Sequence, residues 1–180
     1  MKKDRIIAIV GESGCGKDTA ADIISQEMDI KQLISYTTRD KREGETNEHI
    51  FIDDDTFRKM HADDDNPFFA FTSYGGRVYF TTESQVLGKG AQVYVIDEAG
   101  IYFLKSKIKE PKFKHIEVLF VNIIANKDVR RQRGVTEERM ARDTERVKYS
   151  QYDIVIENNG TIEELKENIL KHKNILLNGN

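Results

Sequence analysis

The segment Gly11-Glu12-Ser13-Gly14-Cys15-Gly16-Lys17 has the spacing G-x-x-x-x-G-K, whose chemistry is the capture of a phosphate group. Glycine opens backbone conformations closed to other residues, so successive N–H groups of such a loop can turn inward on one anion. A helix beginning at the end of the loop adds the partial positive charge of its N-terminus, and Lys17 adds a full one. The residues expected around a bound phosphate are therefore Gly11, Ser13, Gly14, Cys15, Gly16, Lys17, Asp18 and Thr19. The pattern usually continues with a Ser or Thr that ligates Mg²⁺, whereas here Asp18 follows the lysine and Thr19 comes next. Either oxygen can face the metal or its water shell, because Mg²⁺ takes carboxylate and hydroxyl ligands and keeps several waters. Cys15 sits where thiol pKa values tend to fall. The favoured expectation for it is nevertheless a small loop residue and not a redox switch.

Such a loop works only if a strand delivers it and a helix leaves it. Arg5 to Val10 is a continuous β-branched run ending at Gly11, as expected of a central strand of a parallel sheet covered on both faces. Ala20, Ala21, Ile23, Ile24 and Met28 recur at helical spacing and predict a helix over 17–28. Further buried strands are predicted at 92–96, 116–121 and 153–156, with helical periods at 98–107, 127–147 and 161–173. This alternation predicts a three-layer α/β/α sandwich around a parallel sheet. Two stretches depart from it. Between Ser35 and Thr81, short strands at 68–73 and 77–81 flank a Gly75-Gly76 turn and predict a small β-rich excursion. Residues 126–149 read as a second excursion of highly charged helix.

At 180 residues the chain fits one domain. Its longest apolar runs are about five residues, against the roughly 18 needed to span a bilayer, so no membrane span is predicted. The basic start is followed by too short an apolar stretch for a signal peptide. The single cysteine agrees with a reducing compartment, and the expected location is the cytoplasm. A net charge of −3, from 28 basic and 31 acidic residues, gives no general attraction to nucleic acid or acidic membranes, so anion binding must be local. Asp53 to Asp55 and Asp63 to Asp65 read as solvated helix-capping clusters beside the amphipathic Phe57, Met60 and His61. Arg130 to Arg146 holds six arginines.

Beyond the loop, Ser35-Tyr36-Thr37-Thr38-Arg39, Arg42, Gly44-Glu45, Phe51, Tyr79, Asp97 with Gly100, Arg133-Gly134 and the segment from Asp153 to Asn158 resemble, in order, the signature of the guanylate kinase family. The resemblance implies a phosphate-loop NTPase of nucleoside monophosphate kinase type. It divides the chain into a core (1–34, 82–123, 150–180), an acceptor-binding subdomain (35–81) and a helical lid (124–149). It implies ATP and Mg²⁺ as cofactors and a small-molecule acceptor, with no nucleic acid or membrane partner and a monomeric or homodimeric state. Arg39 and Arg42 would hold the acceptor phosphate together with Tyr79, and Ser35, Thr81 and Asp97 would read the base. Lys17 and Mg²⁺ would hold the donor phosphates, and Asn158 would lie near the adenine. The catalytic set would be Lys17, Arg39 and the lid residues Arg133 and Arg142. Guanidinium groups suit this chemistry because they bind phosphate bidentately and stay charged. Arg139, Arg142 and Arg146 share one helical face and could close on the transferring group. Glu138 with Arg142 and Arg139 with Asp143 could equally form ordinary i,i+4 pairs.

Two departures bear on the acceptor. The family's guanine-reading glutamate falls near Ala70, and its second phosphate-binding tyrosine is replaced by His49, which reads either as a phosphate donor or as a loop residue. Gly16-Lys17-Asp18, Thr38-Arg39-Asp40 and His49-Ile50 also resemble the ribose 1,5-bisphosphate phosphokinases. The leading expectation is transfer to GMP or dGMP. The alternatives are a sugar-phosphate kinase and a non-catalytic binding module of the same fold.

Overall fold

The computed structural model describes residues 4–45, 48–145 and 149–179. In chain order the strands and helices begin with β1 (Arg5–Val10), α1 (Lys17–Met28), β2 (Lys31–Gln32), β3 (Tyr36–Thr37), β4 (Ile50–Phe51) and α2 (Asp54–His61). They continue with β5 (Phe68–Tyr74), β6 (Arg77–Thr82), β7 (Ala91–Val95), α3 (Glu98–Lys107) and β8 (Glu117–Ile124). The last are α4 (Lys127–Gln132), α5 (Glu137–Glu145), β9 (Ile154–Glu157), α6 (Ile162–Leu170) and α7 (Lys173–Asn178).

Among the described residues, five strands form a parallel sheet in the order β2-β7-β1-β8-β9, with β1 central. Side chains alternate across a strand, so β1 divides its residues between two cores. Ile7 and Ile9 pack with α1 (Ala20, Ile24) and α6 (Leu165, Ile169). Ile6, Ala8 and Val10 pack with α3 (Ile101, Leu104) and Phe113 on the other face. The two buried clusters are the physical basis of the three layers.

A second, four-stranded sheet in the order β4-β3-β6-β5 stands on this core, with β5 and β6 an antiparallel hairpin around Gly75-Gly76. The strands β2, β3 and β4, two residues each, are too short to leave a periodic signal. The helix predicted over 127–147 is two helices, because the chain turns at Arg133 and Gly134, where φ is +84°. Residues 146–148 of that span, Arg146 included, lie outside the described residues. The helix predicted over 161–173 ends at Leu170, and α7 follows from Lys173. No helix among the described residues is long and apolar enough to cross a membrane.

Candidate active site

The loop leaves β1 at Gly11 so close to β8 that a Cβ there would lie 2.3 Å from the Ile123 carbonyl oxygen. It enters α1 through Gly16, the helix N-cap, at φ +93°, where any side chain is strained. A Cβ on Gly16 would also meet Asn158 Nδ2 at 2.4 Å. No side chain caps α1. The N–H groups of Lys17, Asp18 and Thr19, which have no intrahelical acceptor by position, therefore face the approach to the helix. The loop carbonyls of residues 12–15 each find a side-chain donor, as buried carbonyls must. The Glu12 carbonyl accepts from Lys17 Nζ at 3.2 Å, Ser13 from Arg130 Nε at 2.7 Å, Gly14 from Arg133 Nη1 at 3.1 Å and Cys15 from Asn158 Nδ2 at 2.8 Å.

This accounting moves two of the expected residues. Arg133, expected on the transferring phosphoryl group, instead lies behind the loop, where its guanidinium also donates to Asn158 Oδ1 at 3.2 Å. Asn158, expected near the adenine, is buried as the donor to the Cys15 carbonyl. Cys15 is fully buried, and burial pushes its thiol above the usual value, which fits packing and not a reactive thiolate. Ser13 is buried too, bonded to Asp143 through its N–H (2.9 Å) and hydroxyl (3.1 Å).

In front of the loop lies a cleft of about 1080 Å³. Lys17 and Asp18 line it from the start of α1, with Ser35, Arg39, Arg42, His49 and Tyr79 from the segment 35–81 and Asp97 from the start of α3. From α5, Arg139 and Arg142 face the same space. Asp18 is exposed and lines the cleft, whereas Thr19 does not line it, so of the two candidate metal ligands the carboxylate faces the phosphates' approach. Among the described residues no cluster of three or more His, Cys, Asp or Glu could hold a metal by itself. That donor set fits Mg²⁺, which is commonly held by one carboxylate with phosphate oxygens and water.

Glu45 lines the cleft and organises Arg39 and Arg42 there. Its carboxylate takes Arg39 Nη1 at 2.9 Å and Nη2 at 2.7 Å, and accepts the Arg42 N–H at 2.8 Å. The Arg39 hydrogen bonds, with some help from the Arg42 N–H and both charges, hold the Glu45 carboxyl down at about 2. Arg39 in turn is pushed up, chiefly by Glu45 and also by the Tyr79 phenol beside it. His49 is no loose loop residue: its ring meets Tyr79 edge-on with centroids 5.4 Å apart, and its Nδ1 shares a 2.8 Å hydrogen bond with the Ser35 hydroxyl. Burial, reinforced by the Arg39 charge, pushes His49 below its ordinary value and so disfavours the charged ring.

At the position expected for the glutamate, Ala70 is fully buried and pairs with Thr81, itself fully buried beside Tyr94, and neither lines the cleft. Two residues along β5, Thr72 donates to Asp97 Oδ2 at 3.1 Å, while Asp97 Oδ1 caps α3 by accepting the Gly100 N–H at 2.7 Å. Thr72 and Tyr94 line the cleft. Sequence reasoning missed both: Tyr94 is hidden in an apolar strand, and Thr72 is legible only by counting two residues on from Ala70. It also missed Arg130 and Asp143, whose charged types read as a solvated helix. Both are buried and paired to each other at 2.7 Å, and Asp143 therefore answers Arg130 instead of the i,i+4 partner Arg139.

Comparison with known proteins shows the family. The guanylate kinase family model matches residues 3–173. The chain is 30% identical over 175 residues to the guanylate kinase of Fusobacterium nucleatum, covering 88% of this chain and 90% of that one. It is 32% identical over 165 residues to the guanylate kinase of Bacillus subtilis, covering 85% and 80%. Among solved structures, the guanylate kinase from Anaplasma phagocytophilum superposes with a TM-score of 0.61 at 20% identity, over 97% of this chain and 86% of that one. A sugar kinase from Janibacter shares the fold more distantly, with a TM-score of 0.50 at 12% identity over 97% and 96%.

Proposed function

The chain belongs to the guanylate kinase family and is an enzyme of nucleoside monophosphate kinase type, and from that premise we propose that it transfers the γ-phosphoryl group of ATP to GMP or dGMP. One observation carries the reading: a single cleft joins Lys17, at the uncapped start of α1, to Arg39, Arg42 and Tyr79, with Arg139 and Arg142 reaching in from α5. Phosphoryl transfer needs two anions brought into line and little covalent help from the protein.

Each group then has a task. Lys17 and the N–H groups at the start of α1 bind the donor's β- and γ-phosphates. Arg39 and Arg42 bind the acceptor phosphate, pre-aimed by Glu45, with the Tyr79 hydroxyl as a further donor. Arg142, joined by Arg139, neutralises charge on the moving phosphoryl group and excludes water from it. Asp18 would hold Mg²⁺ directly or through water, and the ion would supply positive charge to the donor phosphates. Ser35 and Asp97 read the acceptor base, with Asp97 fixed by Thr72 and the Gly100 N–H, whereas Thr81, expected beside them, is fully buried and does not line the cleft.

A second acceptor class is favoured by one feature. Alanine at position 70 supplies no carboxylate to read a base, as a sugar phosphate such as ribose 1,5-bisphosphate would tolerate. Incubation with Mg-ATP and a panel of GMP, dGMP, AMP and ribose 1,5-bisphosphate, with ADP and product quantified, separates the readings. Turnover on GMP or dGMP supports the proposal, turnover on the sugar phosphate alone selects the second class, and ATP binding with no turnover on any acceptor refutes both.

A further inference from the structure

The sequence analysis leaves α5 as a mobile-lid helix. The structure instead ties it to the phosphate loop from below. Arg130 is 2% exposed and Asp143 1% exposed, and both converge on Ser13. Arg130 donates through Nε to the Ser13 carbonyl at 2.7 Å, through Nη2 to Asp143 Oδ2 at 2.7 Å, and through Nη1 to Glu12. Asp143 accepts the Ser13 N–H at 2.9 Å and its hydroxyl at 3.1 Å. Met140, one turn before Asp143, is buried as well, so the inner face of α5 is committed to the protein. The outer face carries Arg139 and Arg142 into the cleft.

We propose that the Arg130–Asp143–Ser13 network is an anchor that sets the height and rotation of α5 over the phosphate loop, and that Asp143 and Arg130 are positioning residues acting on phosphoryl transfer through Arg139 and Arg142. The proposal rests on the kinase reading above. A buried ion pair often stabilises a fold no more than well-packed apolar side chains would, so stability alone is a weak reason for these charges. What they supply is direction. Three hydrogen bonds to Asp143, with two more from Arg130 to the loop, fix one register of α5 against it, and a shift of about 1 Å in a positioned charge can cost on the order of 10²-fold in rate. Arg142 adjoins Asp143 in the chain and Arg139 lies one turn before it, so a turn of the helix about its axis moves both guanidinium groups together.

The test is a cycle of substitutions read with Mg-ATP and GMP. In the otherwise unchanged protein, Asp143→Ala should lower kcat by about tenfold or more, leave KM for GMP within about threefold, and raise ATP hydrolysis relative to transfer. In an Arg139→Ala/Arg142→Ala background the same substitution should change kcat by less than about twofold, because the groups it positions are gone. Equal losses in both backgrounds would show a merely structural role and overturn the proposal. If Asp143→Ala does not fold, the cycle is run with Asp143→Asn, which keeps the size and one acceptor oxygen. Amide hydrogen exchange of the nucleotide-free protein gives a readout independent of turnover. The α5 amides should exchange about tenfold or more faster in the variant, and unchanged exchange would overturn the anchor. Absence of transfer by the unmodified protein to any acceptor would refute the kinase reading, and exchange alone would then decide the anchor.

Discussion

Replacing Asn158 by alanine should loosen the phosphate loop from behind without touching the cleft. Asn158 is 6% exposed, and its Nδ2 supplies the side-chain donor to the Cys15 carbonyl, at 2.8 Å. Alanine leaves that carbonyl desolvated and unpaired, at a cost of about 1–3 kcal/mol. The lost contact to Arg133, at 3.2 Å and at the surface side of the loop, adds little. For a domain of this size about 2 kcal/mol corresponds to a fall in Tm of about 4–8 °C, measurable by calorimetry. If about 1.4 kcal/mol of the loss is also felt as reduced loop preorganisation, KM for ATP rises about tenfold. KM for the acceptor should stay close to the unmodified value, since Arg39, Arg42 and Glu45 are untouched. A Tm drop below about 1 °C, together with an unchanged KM for ATP, would refute the account of the buried Cys15 carbonyl.

Lys17→Ala and Arg39→Ala should each lower kcat/KM by about 10²-fold or more, the scale for losing a preorganised charge at a transferring phosphoryl group; a loss below about threefold in either removes that residue from its role. Gly16→Ala should lower Tm by about 3 °C or more and weaken ATP binding, because φ is +93° there and the new Cβ would meet Asn158; an unchanged Tm would contradict the loop geometry. Glu45 has a folded-state pKa of about 2 against an ordinary value of 4.5, so its contribution to stability is fully present above about pH 4.5 and is lost as pH falls through about 2. Glu45→Gln should therefore be less stable than the unmodified protein at neutral pH, with the gap in Tm closing between pH 4.5 and 2; a constant gap across that range would contradict the Arg39 pairing.

The parts legible in the sequence were those with a strong local period or a fixed spacing. The bounds of β1 and α1 follow from a continuous apolar run and a clean helical repeat, and Gly11 to Lys17 fixed where a phosphate would sit. The resemblance brought Arg39, Arg42, Tyr79 and Asp97 to the cleft before any coordinates did. What escaped was tertiary. A buried arginine such as Arg130 has the same letter as an exposed one, and only the loop carbonyl of Ser13, distant in sequence, explains why it is inside. The resemblance placed Arg133 on the transferring group, yet its guanidinium donates to the Gly14 carbonyl and Asn158. Gly134 ended a helix that charge periodicity alone would have continued. Thr72 became visible as a cleft residue only when β5 and β6 were in register.

The central claim is that this cleft lines up ATP with a nucleoside monophosphate and moves phosphorus between them. It is tested most directly by following γ-labelled ATP with Mg²⁺ and GMP and identifying the labelled product. The account predicts label in GDP, formed faster than free phosphate and abolished with Lys17→Ala. Label appearing only as inorganic phosphate, or only on ribose 1,5-bisphosphate when both acceptors are offered, would contradict it.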